Sequence, residues 1–149
     1  MELLAWVGMG SKLFLKSQKR RFLGRKRHEG TPQEICRKVI DHCWNGKYFQ
    51  VSNNYFTQFW IRDFGWCAEE LVRQGHREKV QESLEWALEQ YERAGKVTTT
   101  VTKRGKAFDF PYMAVDSIPW LVYALRASGA EFDQDWVNEQ VKKYASEVF

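Results

Sequence analysis

Cysteine is scarce in this chain and spaced for neither of its usual frameworks: Cys36, Cys43 and Cys67 are an odd number with no C-x-x-C pair. That argues against a disulfide scaffold and against a zinc ribbon. Cys36, His42 and Cys43 fall in one expected helix, but two thiols seven residues apart read as small apolar groups, so neither a metal nor a cofactor is expected. Proline is also rare, and two of the three, Pro32 and Pro119, stand where a helix tolerates proline, in its first turn. Long apolar runs are missing as well. Residues 1–15 are apolar but carry Glu2, have no positively charged lead and are too short to cross a bilayer. No membrane span and no signal peptide are expected, which leaves the cytoplasm as the default location.

What the chain does have is aromatic weight and an uneven charge. Its 149 residues suffice for one domain with a substantial core. At 44% hydrophobic and 15% aromatic, with seven Trp, it reads as globular rather than disordered, and as aromatic-rich in the manner of many carbohydrate sites. Residues 1–28 hold eight Lys/Arg and one Glu, a net of +7; the whole chain is +4, so residues 29–149 net −3. Two segments follow: an apolar and basic arm over 1–30, and a mildly acidic domain over 31–149. The run from Lys16 to His28 is first of all a solvated face, with nucleic acid or an anionic membrane as alternative contacts. The apolar start could equally pack on the domain or insert shallowly in a membrane surface.

Helical periodicity covers most of the domain. Thr31-Pro32-Gln33-Glu34 is a capping box with Pro at the first helical position, and Ile35, Val39, Ile40 and Cys43 form the stripe of a first helix. A second helix is expected from about Arg62 to Gln74, a third from about Arg77 to Ala94, a fourth from about Ser117 to Ala127 and a fifth from about Gln134 to Val148. Three of these end with an Arg in the last turn followed by Gly, which suits the negative helix end and the left-handed turn after it. The fourth is apolar nearly all round and should be buried on most sides, with Asp116 or Ser117 as its cap. Between helices three and four, Val97–Thr102 and Ala107–Phe110 flank the Gly-containing turn 103–106 as a β-hairpin. Recurrent helix-Gly-helix units point to stacked αα-hairpins.

Charge sits in an unexpected place between residues 53 and 66. Six aromatics there surround Arg62 and Asp63, and a desolvated charge needs a partner or a ligand. A helix starting near Arg62 would hold the Asp63 carboxylate ionised with its free N–H groups. One reading is a capped, salt-bridged helix start under an aromatic core. The other is a sugar site, in which apolar ring faces stack on Trp or Tyr and hydroxyls meet fixed donors and acceptors.

Phe59-Trp60-Ile61-Arg62-Asp63-Phe64 resembles the Trp-x-Arg-Asp signature of the six-hairpin (α/α)6 glycosidases, which include glucoamylases, amylo-1,6-glucosidases and alkaline/neutral invertases. Ala114-Val115-Asp116-Ser117-Ile118-Pro119-Trp120 is similar to the Val-Asp-Ser-x-x-Trp helix start of the invertase branch. The likeness spans roughly residues 31–132. It implies an all-α fold, an incomplete (α/α)6 toroid of about five to six helices with one β-hairpin insertion, because twelve helices of about 11–12 residues with their connections need roughly 200 residues at least. It implies an O-glycosidase acting on an oligo- or polysaccharide, with Asp116 as general acid and its apolar neighbours raising its pKa. By the same resemblance Arg62 and Asp63 bind sugar hydroxyls, Trp60 or Tyr55 offers a stacking face, and Asp109 and Tyr112 line the pocket. The second carboxylate of the family has no counterpart here. Two other readings stay open: a carbohydrate-binding remnant without catalysis, and a small helical protein holding nucleic acid by its basic arm. A partial toroid should also expose an apolar flank and associate with itself.

Overall fold

The computed structural model describes residues 28–52, 55–110 and 114–148, together with ten positions between 7 and 22. Tyr112, a candidate for the pocket wall, lies outside the described residues. The described chain is mostly helical with one small three-stranded antiparallel sheet. No helix among the described residues is long and apolar enough to cross a membrane.

Helix α1, Pro32–Cys43, starts as its sequence requires. The Glu34 N–H donates to Thr31 Oγ1, and the Thr31 N–H donates back to Glu34 Oε2 at 2.8 Å. Its apolar stripe is less well served. No residue of α1 is buried, Ile40 and Cys43 are half-covered, and Val39 stays 43% exposed. A turn follows in which Asn45 Oδ1 accepts the N–H groups of Lys47 and Tyr48, and Tyr48 and Phe49 then drop into the core.

The sheet holds a strand that periodicity does not reveal. β1 (Phe59–Trp60) pairs with β2 (Thr100–Val101), which pairs in turn with β3 (Ala107–Phe108). A hairpin alone would be marginal in water; here β1 supplies a third strand, and the buried Thr100 hydroxyl donates to the Phe59 carbonyl at 2.8 Å. The hairpin turns at Gly105, whose φ of +82° suits a residue without Cβ. Strands of two residues replace the longer runs expected over 97–102 and 107–110, because Thr98 and Thr99 turn their hydroxyls onto nearby carbonyls.

β1 runs straight into α2 (Ile61–Arg73), followed by α3 (Arg77–Ala94), α4 (Ser117–Ser128) and α5 (Gln134–Val148). The starts of α2 and α4 lie together, joined by Arg62 and Asp116. At the other end, Arg77 Nη1 and Gln81 Nε2 from the first turns of α3 donate to the Ser128 carbonyl at the end of α4. Helices α2 and α4 therefore run parallel, and α3 returns antiparallel to both. Ile61, Val80, Leu84, Leu121 and Leu125 form the fully buried centre of this three-helix layer.

Helices α2 and α4 come close at Gly65, where an added Cβ would stand 2.8 Å from Trp120 Cβ and 3.0 Å from the Trp120 carbonyl. Gly65→Ala should force α2 off α4 and cost about 1–3 kcal/mol of stability, read as a lower midpoint in urea unfolding. An unchanged midpoint would show that the two helices do not meet there.

Helix α4 departs from its expected burial on most sides. Ser117, Ile118, Leu121, Ala124, Leu125 and Ser128 form one buried face, while Pro119, Tyr123 and Arg126 are exposed and Trp120 is half-covered. Helix α2 covers one side of it and α3 another, which leaves Tyr123 41% exposed on the outer side. Asp116 holds the N-cap position of α4 without a side-chain capping bond, and the Ser117 hydroxyl is buried with no partner among the described residues, so neither residue caps the helix as expected. In α5, Val137 and Gln140 are buried and Tyr144 is half-buried, while the apolar Val141 stays 38% exposed.

Candidate functional site

Two apolar anchors decide where the charges of the second helix point. Ile61 is fully buried and Phe64 nearly so, and the Ile61 N–H donates to the Thr99 carbonyl at 3.3 Å, fixing the strand-to-helix junction. Arg62 and Asp63, between those anchors, are left on the open side of α2. Arg62 Nη2 donates to Asp116 Oδ1 at 2.7 Å across a sequence gap of 54 residues. Both side chains keep solvent contact, at 53% and 34% exposure, so the pair is accessible to a ligand.

The electrostatics run opposite to expectation at both carboxyl groups. Burial pushes the Asp116 carboxyl up, but the hydrogen bond and charge of Arg62 outweigh it, with smaller help from the Trp120 side chain. Its pKa ends below the usual carboxylate value rather than above it. Desolvation is the largest single effect on the carboxyl, but the guanidinium is in direct contact, and its hydrogen bond and charge together decide the direction. Asp63 moves the other way. Although the residue as a whole is exposed, desolvation of its carboxyl outweighs its own backbone N–H and the Arg62 charge, and its pKa is raised. The helix start does not hold it ionised as the sequence suggests, because desolvation wins, while Arg62 commits its hydrogen bond to Asp116. That commitment in turn raises the pKa of Arg62 itself, chiefly through the hydrogen bond.

Arg62 and Asp63 also line a cavity of about 450 Å³ between α1 and α2, walled otherwise by mainly apolar side chains including Val39, Ile40, Phe49 and Trp66. The half-buried face of α1 is one wall of this space. Cys67, on the α2 side, has its thiol pKa raised by desolvation and by the charge of Asp63.

The remaining candidates are less concentrated. Trp60 is half-buried and meets Phe56 and Phe110 at near right angles, 5.7 and 5.8 Å between ring centres; its indole N–H is buried without a partner among the described residues. Tyr55 is held through its backbone: the Ser52 hydroxyl oxygen accepts the N–H groups of Tyr55 and Phe56. Asp109 does not line the cavity. One carboxylate oxygen accepts from Lys96 Nζ at 2.7 Å and the other from the Thr99 N–H at 3.1 Å, so it closes the base of the hairpin.

Comparison with known protein families, with curated proteins and with solved structures finds no match for this chain.

Sequence reasoning passed over one aromatic feature beside the charges. Trp66, three residues after Asp63, is 68% exposed and lies against Trp120, four residues after Asp116, with 4.8 Å between ring centres. Tyr123 meets Trp120 edge-on at 5.7 Å and donates its hydroxyl hydrogen to the Glu69 carboxylate. The spacing was available in the sequence: each Trp is one helical turn beyond an acidic residue, on the same side of its helix. What the spacing lacked was the parallel pairing of α2 and α4, which puts the two indoles in one row.

Proposed function

We propose that this chain has a glycoside-hydrolase-like fold of (α/α)6 toroid type and binds a glucose-type sugar of an oligo- or polysaccharide at Arg62, Asp63 and Asp116. The observation that carries the reading is the Arg62–Asp116 ion pair at 2.7 Å, which joins the starts of two parallel helices and unites the two motifs behind the resemblance. The order of α2, α3 and α4, with one helix returning between two parallel ones, is the alternation that inner and outer helices of such a toroid require. The exposed Trp66–Trp120 pair adds a flat apolar surface one turn from the carboxyl groups, better placed for a sugar face than the ring of Trp60, which is hemmed by two phenylalanines.

The chemistry then turns on Arg62. Glycoside cleavage needs one carboxyl that donates a proton to the leaving oxygen and a second that activates water or attacks the sugar. With Arg62 on it, Asp116 is held ionised and cannot donate. A sugar hydroxyl that accepts the Arg62 hydrogen bonds would loosen that hold, and the burial of Asp116 would then raise its pKa toward the range a proton donor needs. Binding without cleavage is the second reading. It is favoured by the lowered pKa of Asp116, and it shares every residue with the first.

Titrating maltose or sucrose while following tryptophan fluorescence tests the binding step. The expected result is a saturable change through the millimolar range, carried by Trp66 and Trp120, that weakens at least tenfold in Arg62→Met, as expected for loss of hydrogen bonds to a charged group. A flat titration with either sugar would remove the sugar site from these residues.

A further inference from the structure

The sugar reading makes no use of the N-terminal arm, which has an unusual surface. The described positions between 7 and 22 are helical, and four large apolar side chains there are open to solvent: Val7 at 64%, Phe14 at 63%, Leu15 at 66% and Phe22 at 86% exposure. Single exposed apolar residues are ordinary. At about 100° per residue, however, these four fall within one stripe roughly 100° wide, the width of a helix face that normally faces a core. Lys19 and Arg21, also on the described helix, flank the stripe on its two sides, and residues 1–28 as a whole net +7.

We propose that this helix lies on an anionic lipid surface, its Val7, Phe14, Leu15 and Phe22 side chains entering the headgroup boundary while Lys19 and Arg21 meet lipid phosphates and carboxylates. Three occupants compete for such a face, and charge separates them. A second copy would set one +7 arm against another, whereas paired helices need opposite charges beside the seam. A nucleic-acid duplex would satisfy the cations, but its bases are stacked inside it and its phosphates offer nothing to phenylalanines exposed at 63% and 86%, or to the aliphatic Val7 and Leu15 beside them. An anionic bilayer rewards both features at once, through buried apolar area and attraction to the charged headgroups. The remainder of the chain, at net −3, would be held off the same surface, which orients the molecule arm-down.

The test is flotation of the full chain with vesicles of equal parts phosphatidylserine and phosphatidylcholine, against pure phosphatidylcholine, at moderate salt. The expected result is binding to the anionic vesicles and little to the neutral ones. The double variant Phe14→Ala, Phe22→Ala should bind at least about tenfold more weakly, because two aromatic side chains no longer enter the interface. Lys19→Glu and Arg21→Glu should each weaken binding roughly fivefold or more. All four residues are on the open surface, so the thermal midpoint should be unchanged and loss of binding is not loss of fold. Equal binding to both vesicle types, or full binding by the phenylalanine variant, overturns the proposal. So does preference for a nucleic-acid duplex that the phenylalanine variant retains, or a salt-dependent dimer that excludes vesicles. None of these outcomes bears on sugar binding at Arg62.

Discussion

Asp116→Asn is expected to remove hydrolysis by about 10²–10⁴-fold in a protein that contains this chain and the second carboxylate, since it deletes a proton donor while keeping shape. The same change should cost only about 0.2–1 kcal/mol of stability, because the Arg62–Asp116 pair is open to solvent and screened. Asp63→Asn should act differently, weakening sugar binding in ground and transition states alike by removing an acceptor. Steady-state kinetics separates the two: a loss confined to kcat for Asp116, and a loss shared by KM and kcat/KM for Asp63. Hydrolysis that survives Asp116→Asn would end the catalytic assignment.

Their opposite pKa directions extend this to stability against pH. Asp116 is lowered on folding, so the stability from its pair is present above the ordinary carboxylate pKa of 3.8 and is lost as pH falls through the lower folded value. Asp63 is raised, so its ionised form costs stability above the raised value, and stability returns as pH falls from there toward 3.8. Acid titration of unfolding should therefore show a small gain in mild acid that Asp63→Asn abolishes. A loss in stronger acid should follow, and Asp116→Asn should flatten it. Two variants with identical pH profiles would contradict the electrostatics described for this site.

Leu121→Ala is expected to have the largest effect on the fold, lowering unfolding free energy by about 2–5 kcal/mol. Leu121 is fully buried on the core-facing side of α4, so its loss leaves a cavity beneath the helix that begins at Asp116. Denaturant unfolding gives the number. A cost below 1 kcal/mol would mean that α4 is not seated on this core.

Helix positions were legible because their signals are local. Thr31 and Glu34 cap α1 through atoms three residues apart, and Gly95 and Gly129 end α3 and α4 with left-handed φ values of +70° and +67°. The hairpin was legible in outline for the same reason, through β-branched residues around a glycine turn. β1 was not, because two residues have no period, and Phe59–Trp60 becomes a strand only when Thr100 and Val101 pair with it. The charged residues could be picked out as well: Arg62, Asp63 and Asp116 stand out in sequence as charges among apolar residues. Which of them pair could not be read from sequence, and neither could the direction in which each carboxyl is shifted. A pKa depends on what stands within a few ångströms, and the nearest partner of Asp116 is 54 residues away in sequence. Asp109 serves the hairpin rather than the cavity through Lys96 and Thr99 at the hairpin's own base. Tertiary packing alone decided that Arg62 reaches Asp116 and that Trp66 and Trp120 form one surface, since both depend on the parallel seating of α2 and α4 around Gly65.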